Sequence, residues 1–375
     1  METILYISFN QDGSCFCLGT NEGFLVYNTS PLKILTDKND LKEGIKIIEM
    51  LKKTNILALV GEGYSEKKEC EYPNDKLIIW DDQQNKNISE IKLSAEILNV
   101  KIKTDIIIAS TIDNYLYIIE LSSLDIKNIF NIYENSKGLF AISLDDKTLV
   151  LAFPYEHCGY VKIKNFNNKI NVPHINAHDT NISYLSLNNE GNLLATSSQR
   201  GTLIRIFCTF NGELIQELRR GAKSSIIHYI TFDLKNTFLA CSSSNKTVHI
   251  FSIYSSIKYL KQKGIVSKIK SDDSNSDKKE ELINEPKNQK SFIGSIINVL
   301  KIGISYFESE WSFAQFRLPK NENEKAIISF NLIDNYINVL TYSGNLYMAS
   351  FEPKSGGECD KINEANLFPL NKKNK

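Results

Sequence analysis

The 375-residue chain has no net charge, because 44 lysines and arginines balance 44 aspartates and glutamates. That balance argues against a protein whose main role is to coat nucleic acid. The sequence also has no uninterrupted run of the roughly 18 apolar residues that a membrane-spanning helix needs, and its first residues lack the pattern of a secretory signal. We therefore expect a cytosolic protein, with enough apolar residues (42%) for a large core.

Cysteine and histidine are sparse, and neither is arranged for a disulfide framework or a metal site. The seven cysteines are odd in number and scattered along the chain, which favours reduced thiols packed as small hydrophobic side chains. His174 and His178 are four residues apart, but Pro173 disfavours the helix that would place them on one face. We expect no metal and no cofactor, and no catalytic motif is apparent, so the sequence does not predict an enzyme.

Arginine is the scarcest of the common charged residues. Only five are present, at positions 200, 205, 219, 220 and 317, and four of them fall within 21 residues. Arginine holds phosphate groups with two donors at once, which lysine does not do. The cluster therefore indicates a phosphate-binding region, although chance clustering on a solvated face is an equal alternative from composition alone.

The hydrophobic residues that are present recur with a period of two, in short runs bounded by Asn, Asp, Gly and Ser. The pattern restarts near residues 3, 44, 96, 138, 182, 226 and 325, mostly at intervals of 41 to 52 residues. Repeats of that length are typical of four-stranded propeller blades. The sequence thus predicts an all-β, seven-bladed β-propeller in which residues 1–375 form a single domain.

The fifth and sixth repeats align position by position. LATSSQRGTLIRIF in the fifth corresponds to LACSSSNKTVHIF in the sixth, and glycines 191 and 212 mark tight turns in the fifth. The interval after the sixth start is too long for one blade, which predicts an insertion over residues 258–310. Its first part is rich in charge, Ser and Asn, and is predicted to be disordered.

The second part of the insertion, residues 291–309, has an approximate helical repeat of polar and small residues on an otherwise apolar segment. A tethered amphipathic helix of this kind suits a membrane interface, and packing on the propeller wall is the alternative. The apolar residues predicted to enter the membrane are Phe292, Ile293, Ile296, Ile297, Leu300, Ile304 and Phe307.

The duplicated segments also predict two neighbouring anion pockets. Successive side chains of a strand point to opposite faces, so Arg219 and Arg220 cannot readily serve the same pocket. Each repeat supplies two hydroxyls and a cationic or potentially cationic side chain for one arginine. These residues are Ser198, Thr202 and Arg205 on one side, and Ser243, Thr247 and His249 on the other.

These segments, with LRRG between them, resemble the signature of the PROPPIN family, the seven-bladed propellers also called WIPI proteins. The resemblance implies binding of phosphatidylinositol 3-phosphate and phosphatidylinositol 3,5-bisphosphate. It implies a first site at His178, Ser198, Gly201, Thr202, Arg205 and Arg219, and a second at Arg220, Gly221, Ser243, Thr247 and His249. Leu218 stands where the family usually has Phe, which affects local packing more than charge recognition.

The resemblance further implies an adaptor in autophagy-related membrane formation or endolysosomal traffic. Such a protein would be peripheral on autophagosomal, endosomal or vacuolar membranes, monomeric in solution, and able to recruit other machinery such as a lipid-transfer protein. The main alternative is a propeller that binds acidic or phosphorylated peptides without lipid. An enzyme acting in the propeller channel is a third class, for which the sequence offers no catalytic residues.

Overall fold

A computed structural model describes residues 3–63, 70–167, 172, 174–265, 285–289, 309–320, 322, 324–331 and 335–368. Seven sheets, each built on an antiparallel meander, are arranged in chain order around an axis. The innermost strand of each blade begins within three residues of a predicted repeat start. The structure therefore confirms the seven-bladed propeller. The prediction succeeded because each blade is a self-contained meander with its own turn residues.

Blades one to four each consist of four strands. Blade one contains β1 (Ile4–Phe9), β2 (Cys15–Thr20), β3 (Phe24–Asn28) and β4 (Lys33–Lys38). Blade two contains β5 (Ile45–Met50), β6 (Ile56–Gly61), β7 (Lys76–Asp81) and β8 (Lys86–Lys92). Blade three contains β9 (Ile97–Ile102), β10 (Ile106–Thr111), β11 (Tyr115–Glu120) and β12 (Ile126–Asn131). Blade four contains β13 (Ala141–Ile142), β14 (Val150–Pro154), β15 (Tyr160–Asn165) and β16 (Ile175–Asn176).

Blades five and six each have a fifth strand. Blade five contains β17 (Ile182–Leu187), β18 (Leu193–Ser198), β19 (Leu203–Cys208), β20 (Leu214–Arg219) and β24 (Glu310–Trp311). Blade six contains β21 (Ile227–Phe232), β22 (Phe238–Ser243), β23 (Thr247–Ser252), β25 (Ala314–Arg317) and β29 (Gly357–Glu358). Blade seven contains β26 (Ala326–Phe330), β27 (Tyr336–Thr341), β28 (Asn345–Ser350) and β30 (Asp360–Asn366).

The helix α1 (Tyr254–Gln262) follows β23 and was not predicted from the sequence. Its buried residues Ser256 and Leu260 face the propeller, and Leu260 belongs to the core between blades five and six. The helix covers positions 258–262, so the start of the predicted insertion is helical rather than irregular. The strand β25 then completes blade six, which places the insertion between the third and fourth strands of that blade.

The core consists of clusters of apolar side chains that lie between neighbouring blades. One such cluster joins Ile7 and Phe16 of blade one to Ile327 and Leu340 of blade seven, and so closes the ring between the two ends of the described chain. The middle strands β2, β18 and β22 are buried along their whole length. Burial on both faces explains why they read as continuous apolar or small residues and not as alternating patterns.

Cysteine side chains contribute to this core as expected. All seven are free thiols, and five of them are buried. Burial raises the pKa of Cys17 and Cys241, which keeps both thiols protonated. No helix among the described residues is long and apolar enough to cross a membrane.

Candidate phosphate-binding site

Blade five places the residues of the predicted first pocket near one end of three neighbouring strands. Ser198 ends β18, Arg205 lies within β19 and Arg219 ends β20. In the β19–β20 register Leu203 pairs with Arg219, and Arg205 pairs with Glu217. Paired residues and residues two apart share a face of the sheet. Arg205 and Arg219 therefore lie on the same face, as the predicted first pocket requires.

His178 joins this pocket from the connection between blades four and five. Its Nε2 lies 2.9 Å from the Thr196 hydroxyl, and the carbonyl of the preceding residue, Ala177, accepts a 2.7 Å hydrogen bond from Arg205. Burial, together with the positive charge of Arg205, lowers the pKa of His178 to about 4. The imidazole is therefore neutral near pH 7 and serves as a polar group, not as a cation.

Glu217 is an acidic residue in the first pocket that sequence reasoning missed. Its carboxylate accepts a 2.9 Å hydrogen bond from Nε of Arg205, and both side chains are about three-quarters buried. This ion pair offsets the positive charge of Arg205. Arg205 therefore helps to form the wall of the pocket but adds little net positive charge to it. Arg219 is then the main candidate for direct contact with a phosphate group.

Arg219 is buried, and it contacts the chain where it returns from the insertion. Its Nε donates a 2.7 Å hydrogen bond to the hydroxyl of Ser309, and β24, which begins one residue later, pairs in parallel with β20. Ser309 was not predicted as a pocket residue. No sequence pattern indicates Ser309 as a pocket residue, because only the fold shows which residue after the long insertion lies beside Arg219.

Arg220 turns to the other side and is held by backbone carbonyls. Its Nε donates to the carbonyl of Gly201 at 2.9 Å and its Nη2 donates to that of Lys223 at 2.5 Å. The Arg220 amide also donates to the carbonyl of Thr202 at 2.9 Å. The turn at residues 201 and 202, which was predicted for the first pocket, thus also positions the arginine of the second. The two pockets share this turn.

The second pocket forms at blade six between β23 and β25. Thr247 pairs with Arg317 and His249 with Gln315, which places these four residues on one face. Burial, followed by the charges of Arg220 and Arg317, lowers the pKa of His249 to about 4. Arg220 and Arg317 therefore both act electrostatically on His249, and Thr247 lies on the same face of the sheet as His249.

Arg317 is an additional arginine at the second pocket. Its side chain is 69% exposed and its Nε lies 3.1 Å from the carboxylate of Glu358. In the sequence Arg317 is only the fifth arginine, far from the other four. Its pairing with Thr247 spans the whole insertion, so no local sequence pattern places it at the pocket. The remaining predicted residues lie nearby, since Ser243 ends β22 and Gly221 directly follows Arg220.

A polar clamp between blades five and six joins the chain on either side of the insertion through Asn288, and it is formed by Gln216, Ser252, Asn288 and Glu310. The side-chain amides of Gln216 and Asn288 each donate to Oε2 of Glu310 at 2.7 Å. Asn288 also bonds both the amide and the carbonyl of Ser252 at 2.7 Å. The predicted membrane residues Phe292, Ile293, Ile296, Ile297, Leu300, Ile304 and Phe307 lie outside the described residues.

The two histidines that are four residues apart in the sequence have different partners. His174 lies 3.0 Å from Glu156, whereas His178 contacts Thr196 in the first pocket. Among the residues that the structure describes, no three His, Cys, Asp or Glu side chains are grouped to hold a metal ion.

A single methyl group at Gly201 is expected to destabilise the shared turn. Gly201 has a φ of +56°, and a Cβ there would lie 1.9 Å from the carbonyl oxygen of Ser225. We expect Gly201→Ala to lower the free energy of unfolding by about 1–3 kcal/mol, because the backbone must move, and to weaken phosphate binding. Urea denaturation measures the first effect and titration with a soluble headgroup the second.

Gly221→Ala is the matched control for that substitution. Gly221 has an unstrained backbone, and nothing lies within 4 Å of a Cβ built on it. This variant should be as stable as the wild type to within about 0.5 kcal/mol. Equal stability losses in the two variants would contradict the assignment of strain to Gly201.

Acid is expected to destabilise the protein through the two pocket histidines. In the fold the pKa values of His178 and His249 are about 4, whereas an exposed imidazole titrates near 6.5. The unfolded chain therefore binds more protons between these values, and stability falls as the pH drops from 6.5 towards 4. From pH 6.5 to 5.5 each histidine contributes a loss of about 1 kcal/mol.

Urea denaturation of the wild type and of His249→Gln at both pH values tests this expectation. The variant lacks one of the two titrating groups, so its stability should fall by about 1 kcal/mol less over this interval. Identical pH dependence of the two proteins would show that His249 is not held neutral by burial.

Comparison with known proteins yields a consistent set of relatives. The PROPPIN family model matches residues 3–368. "Autophagy-related protein 18e" of Arabidopsis thaliana is 30% identical over 368 residues, which cover 98% of this chain and 88% of that protein. "Autophagy-related protein 18" of Dictyostelium discoideum is 31% identical over 252 residues, covering 67% of this chain and 66% of that protein.

Solved structures share the fold at lower identity. Kluyveromyces lactis Hsv2, with a complete loop 6CD, matches with a TM-score of 0.71 and 21% identity over 98% of this chain and all of that one. KlAtg21, solved in complex with the coiled-coil of AgAtg16, matches with the same TM-score, identity and coverage. These matches are to seven-bladed propellers and support the architecture described above.

Proposed function

The chain belongs to the PROPPIN family of phosphoinositide-binding propellers, and from that premise we propose that it binds phosphatidylinositol 3-phosphate and phosphatidylinositol 3,5-bisphosphate on organelle membranes. In this role it is an adaptor in autophagy-related membrane formation or endolysosomal traffic, and it acts by binding, not by catalysis. The observation that carries the proposal is the division of Arg219 and Arg220 between two adjacent pockets.

The chemistry of the pockets supports phosphate as the ligand. Each pocket combines an arginine with hydroxyl groups and a neutral histidine, and phosphate oxygens accept hydrogen bonds from all of these groups. Two pockets on neighbouring blades can engage two headgroups at once, which raises the apparent affinity for a surface without any new contact. A membrane presents headgroups in this way, whereas a singly phosphorylated peptide does not.

Liposome flotation tests the proposal directly. Wild-type protein is expected to float with liposomes made of neutral lipids plus phosphatidylinositol 3-phosphate or phosphatidylinositol 3,5-bisphosphate. It should remain at the bottom of the gradient with liposomes of the neutral lipids alone. Failure to float with either lipid would contradict the proposal. Binding to a phosphorylated peptide by such a non-floating protein would instead support the peptide-binding alternative.

We further propose that apolar residues of segment 291–309 enter the membrane next to the pockets. The clamp at Glu310 holds the end of this segment on blade five, and Ser309 contacts Arg219. An inserted apolar segment adds to two headgroup contacts as a linked binding event. Partners are proposed to include other autophagy proteins, by analogy with the KlAtg21 complex, and a lipid-transfer protein.

Charged substitutions in the segment are expected to weaken membrane retention without affecting headgroup binding. Phe292→Asp, Ile296→Asp and Leu300→Asp together leave Ser309 and its contact with Arg219 in place, which a deletion of the whole segment would not. We expect at least a tenfold loss of retention on liposomes and an unchanged affinity for soluble inositol 1,3-bisphosphate. Unchanged retention would favour a helix packed on the propeller wall.

A further inference from the structure

The axial channel is a cavity that the proposed function does not use. The innermost strands surround a cavity of about 390 Å³. Inside it, Glu49 accepts a 2.9 Å hydrogen bond from the hydroxyl of Tyr6 and a 2.6 Å hydrogen bond from Lys101. The innermost strands of blades one, two and three are thereby linked. Lys101 is matched by Glu49, so the interior of the channel has little net charge.

One mouth of this channel carries three basic residues. The innermost strands all run in the same direction, because the blades repeat the same meander, and their first residues therefore meet at the same mouth. His228 is the second residue of β21, Lys325 directly precedes β26, and Lys137 lies in the connection that leads to β13. All three line the cavity. The carbonyl of Lys325 accepts a 3.0 Å hydrogen bond from the Tyr342 amide, which ties this residue to blade seven.

The acidic residues of the lining lie elsewhere. Among the described residues that line the cavity, the acids are Glu49, Asp12 and Asp233. Asp12 and Asp233 lie in turns at the ends of β1 and β21, which places them at the opposite mouth. Both carboxylates accept backbone amides of their own turns. Among the described residues that line the cavity, those at the mouth with the lysines therefore include basic side chains and no acidic one, although the whole chain is neutral.

The positive charges of Lys325 and Lys137 act on the imidazole of His228. Burial lowers its pKa, and the charges of Lys325 and Lys137 lower it further. A bound anion would relieve the repulsion between these groups. Lysine provides a mobile point charge with three donors, which suits phosphate oxygens in a site without the planar constraint of arginine.

We propose that this mouth binds a small soluble polyanion with two or more phosphate groups. The two lysines provide two permanent positive charges, and His228 and the tyrosine hydroxyls of the channel offer further polar contacts. The channel behind this mouth has a volume of about 390 Å³ in total, within the range of about 300–1,000 Å³ that is usual for small-molecule sites. The position on the propeller axis favours a soluble ligand, since a lipid headgroup could reach it only if the whole face lay on the bilayer.

The test uses inorganic triphosphate as the probe and full-length Arg219→Thr plus Arg220→Thr as the starting protein, so that the two rim pockets do not contribute. Isothermal titration at about 0.1 M salt, where the screening length is about 10 Å, should still show binding. Adding Lys137→Ala and Lys325→Ala should weaken it at least tenfold. Both lysines are exposed, so the fold should be retained, and urea denaturation checks this.

The matched control adds Lys147→Ala and Lys354→Ala to the same starting protein. These exposed lysines lie in connections at the opposite face, and their removal changes the net charge equally. Affinity within about twofold of the starting protein is expected. The proposal is overturned if triphosphate does not bind, if the control loses as much affinity as the test variant, or if anionic liposomes, but not triphosphate, depend on Lys137 and Lys325.

Discussion

Simultaneous replacement of Arg219 and Arg220 with threonine is expected to lower the affinity for liposomes containing phosphatidylinositol 3-phosphate, measured by flotation, by at least about 100-fold. A hydrogen bond to a charged group contributes about 1.5–3 kcal/mol, and each pocket loses its arginine. Because the pockets bind the same surface as linked events, the losses multiply. Two losses of this size correspond to factors of about 10² to 10⁴ in binding.

The control for this result is a protein that loses two positive charges elsewhere. Lys147→Thr plus Lys235→Thr is suitable, because both side chains are exposed and neither belongs to a pocket. This control should float like the wild type. The lipid-binding proposal fails if the Arg219 and Arg220 variant, shown to be folded, floats equally well.

The single variants separate the two pockets. Arg219→Thr removes the contact with Ser309, while Arg220→Thr frees the carbonyls of Gly201 and Lys223. Each variant keeps one arginine and should retain binding to soluble inositol 1,3-bisphosphate at the remaining pocket. Loss of all soluble binding in either single variant would indicate that the shared turn, not the lost arginine, dominates the effect.

The repeat starts could be predicted because their signals are local. Gly191 and Gly212 both have positive φ in the structure, as the turn pattern predicted, and the repeated turns divide the chain into meanders. Helix α1 was missed because its sequence, YSSIKYLKQ, is only nine residues long and has no side-chain cap. Its position depends on tertiary contacts, among them the hydrogen bond from Ser256 to Gln216.

The pockets were only partly predictable for a related reason. Sequence similarity between two neighbouring repeats indicated Arg219, Arg220 and His249, because a duplicated motif is visible along the chain. Glu217 was overlooked although it lies two residues before Arg219, since only the strand register shows that it faces Arg205. Arg317 reaches the second pocket only through pairing across the insertion, which no local pattern records.

The tyrosines of the channel had a sequence signal that went unused. Tyr6, Tyr184 and Tyr229 each occupy the third position of an innermost strand, in ILYISF, ISYLSL and IHYITF. The register shifts just before each of them, and such irregularities re-aim side chains. Burial raises the pKa of all three hydroxyls, so they remain protonated donors. The shared third position of these tyrosines in three repeats therefore predicts that all three lie at the same level around the propeller axis.

The second large effect is expected at the ion pair within the channel. Glu49 is buried and Lys101 is about one-third exposed. Burial by itself lowers the pKa of Lys101, but Glu49 and the neighbouring tyrosines raise it above its usual value. Lys101 therefore stays protonated, and Glu49→Ala would leave its ammonium group in the channel without the Glu49 side chain that accepts its hydrogen bond. We expect a loss of about 2–3 kcal/mol in the free energy of unfolding, measured by urea denaturation.

Two further variants separate charge from packing. Glu49→Ala combined with Lys101→Met removes both charges, and should recover most of the lost stability because no unpaired charge remains. Glu96→Ala breaks the more exposed ion pair with Lys46 and should cost less than about 1 kcal/mol. If the double variant is as unstable as Glu49→Ala, the loss arises from the cavity and not from the charge. Lipid flotation of the folded variants should be unchanged, since the pair links blades two and three while the lipid pockets lie on blades five and six.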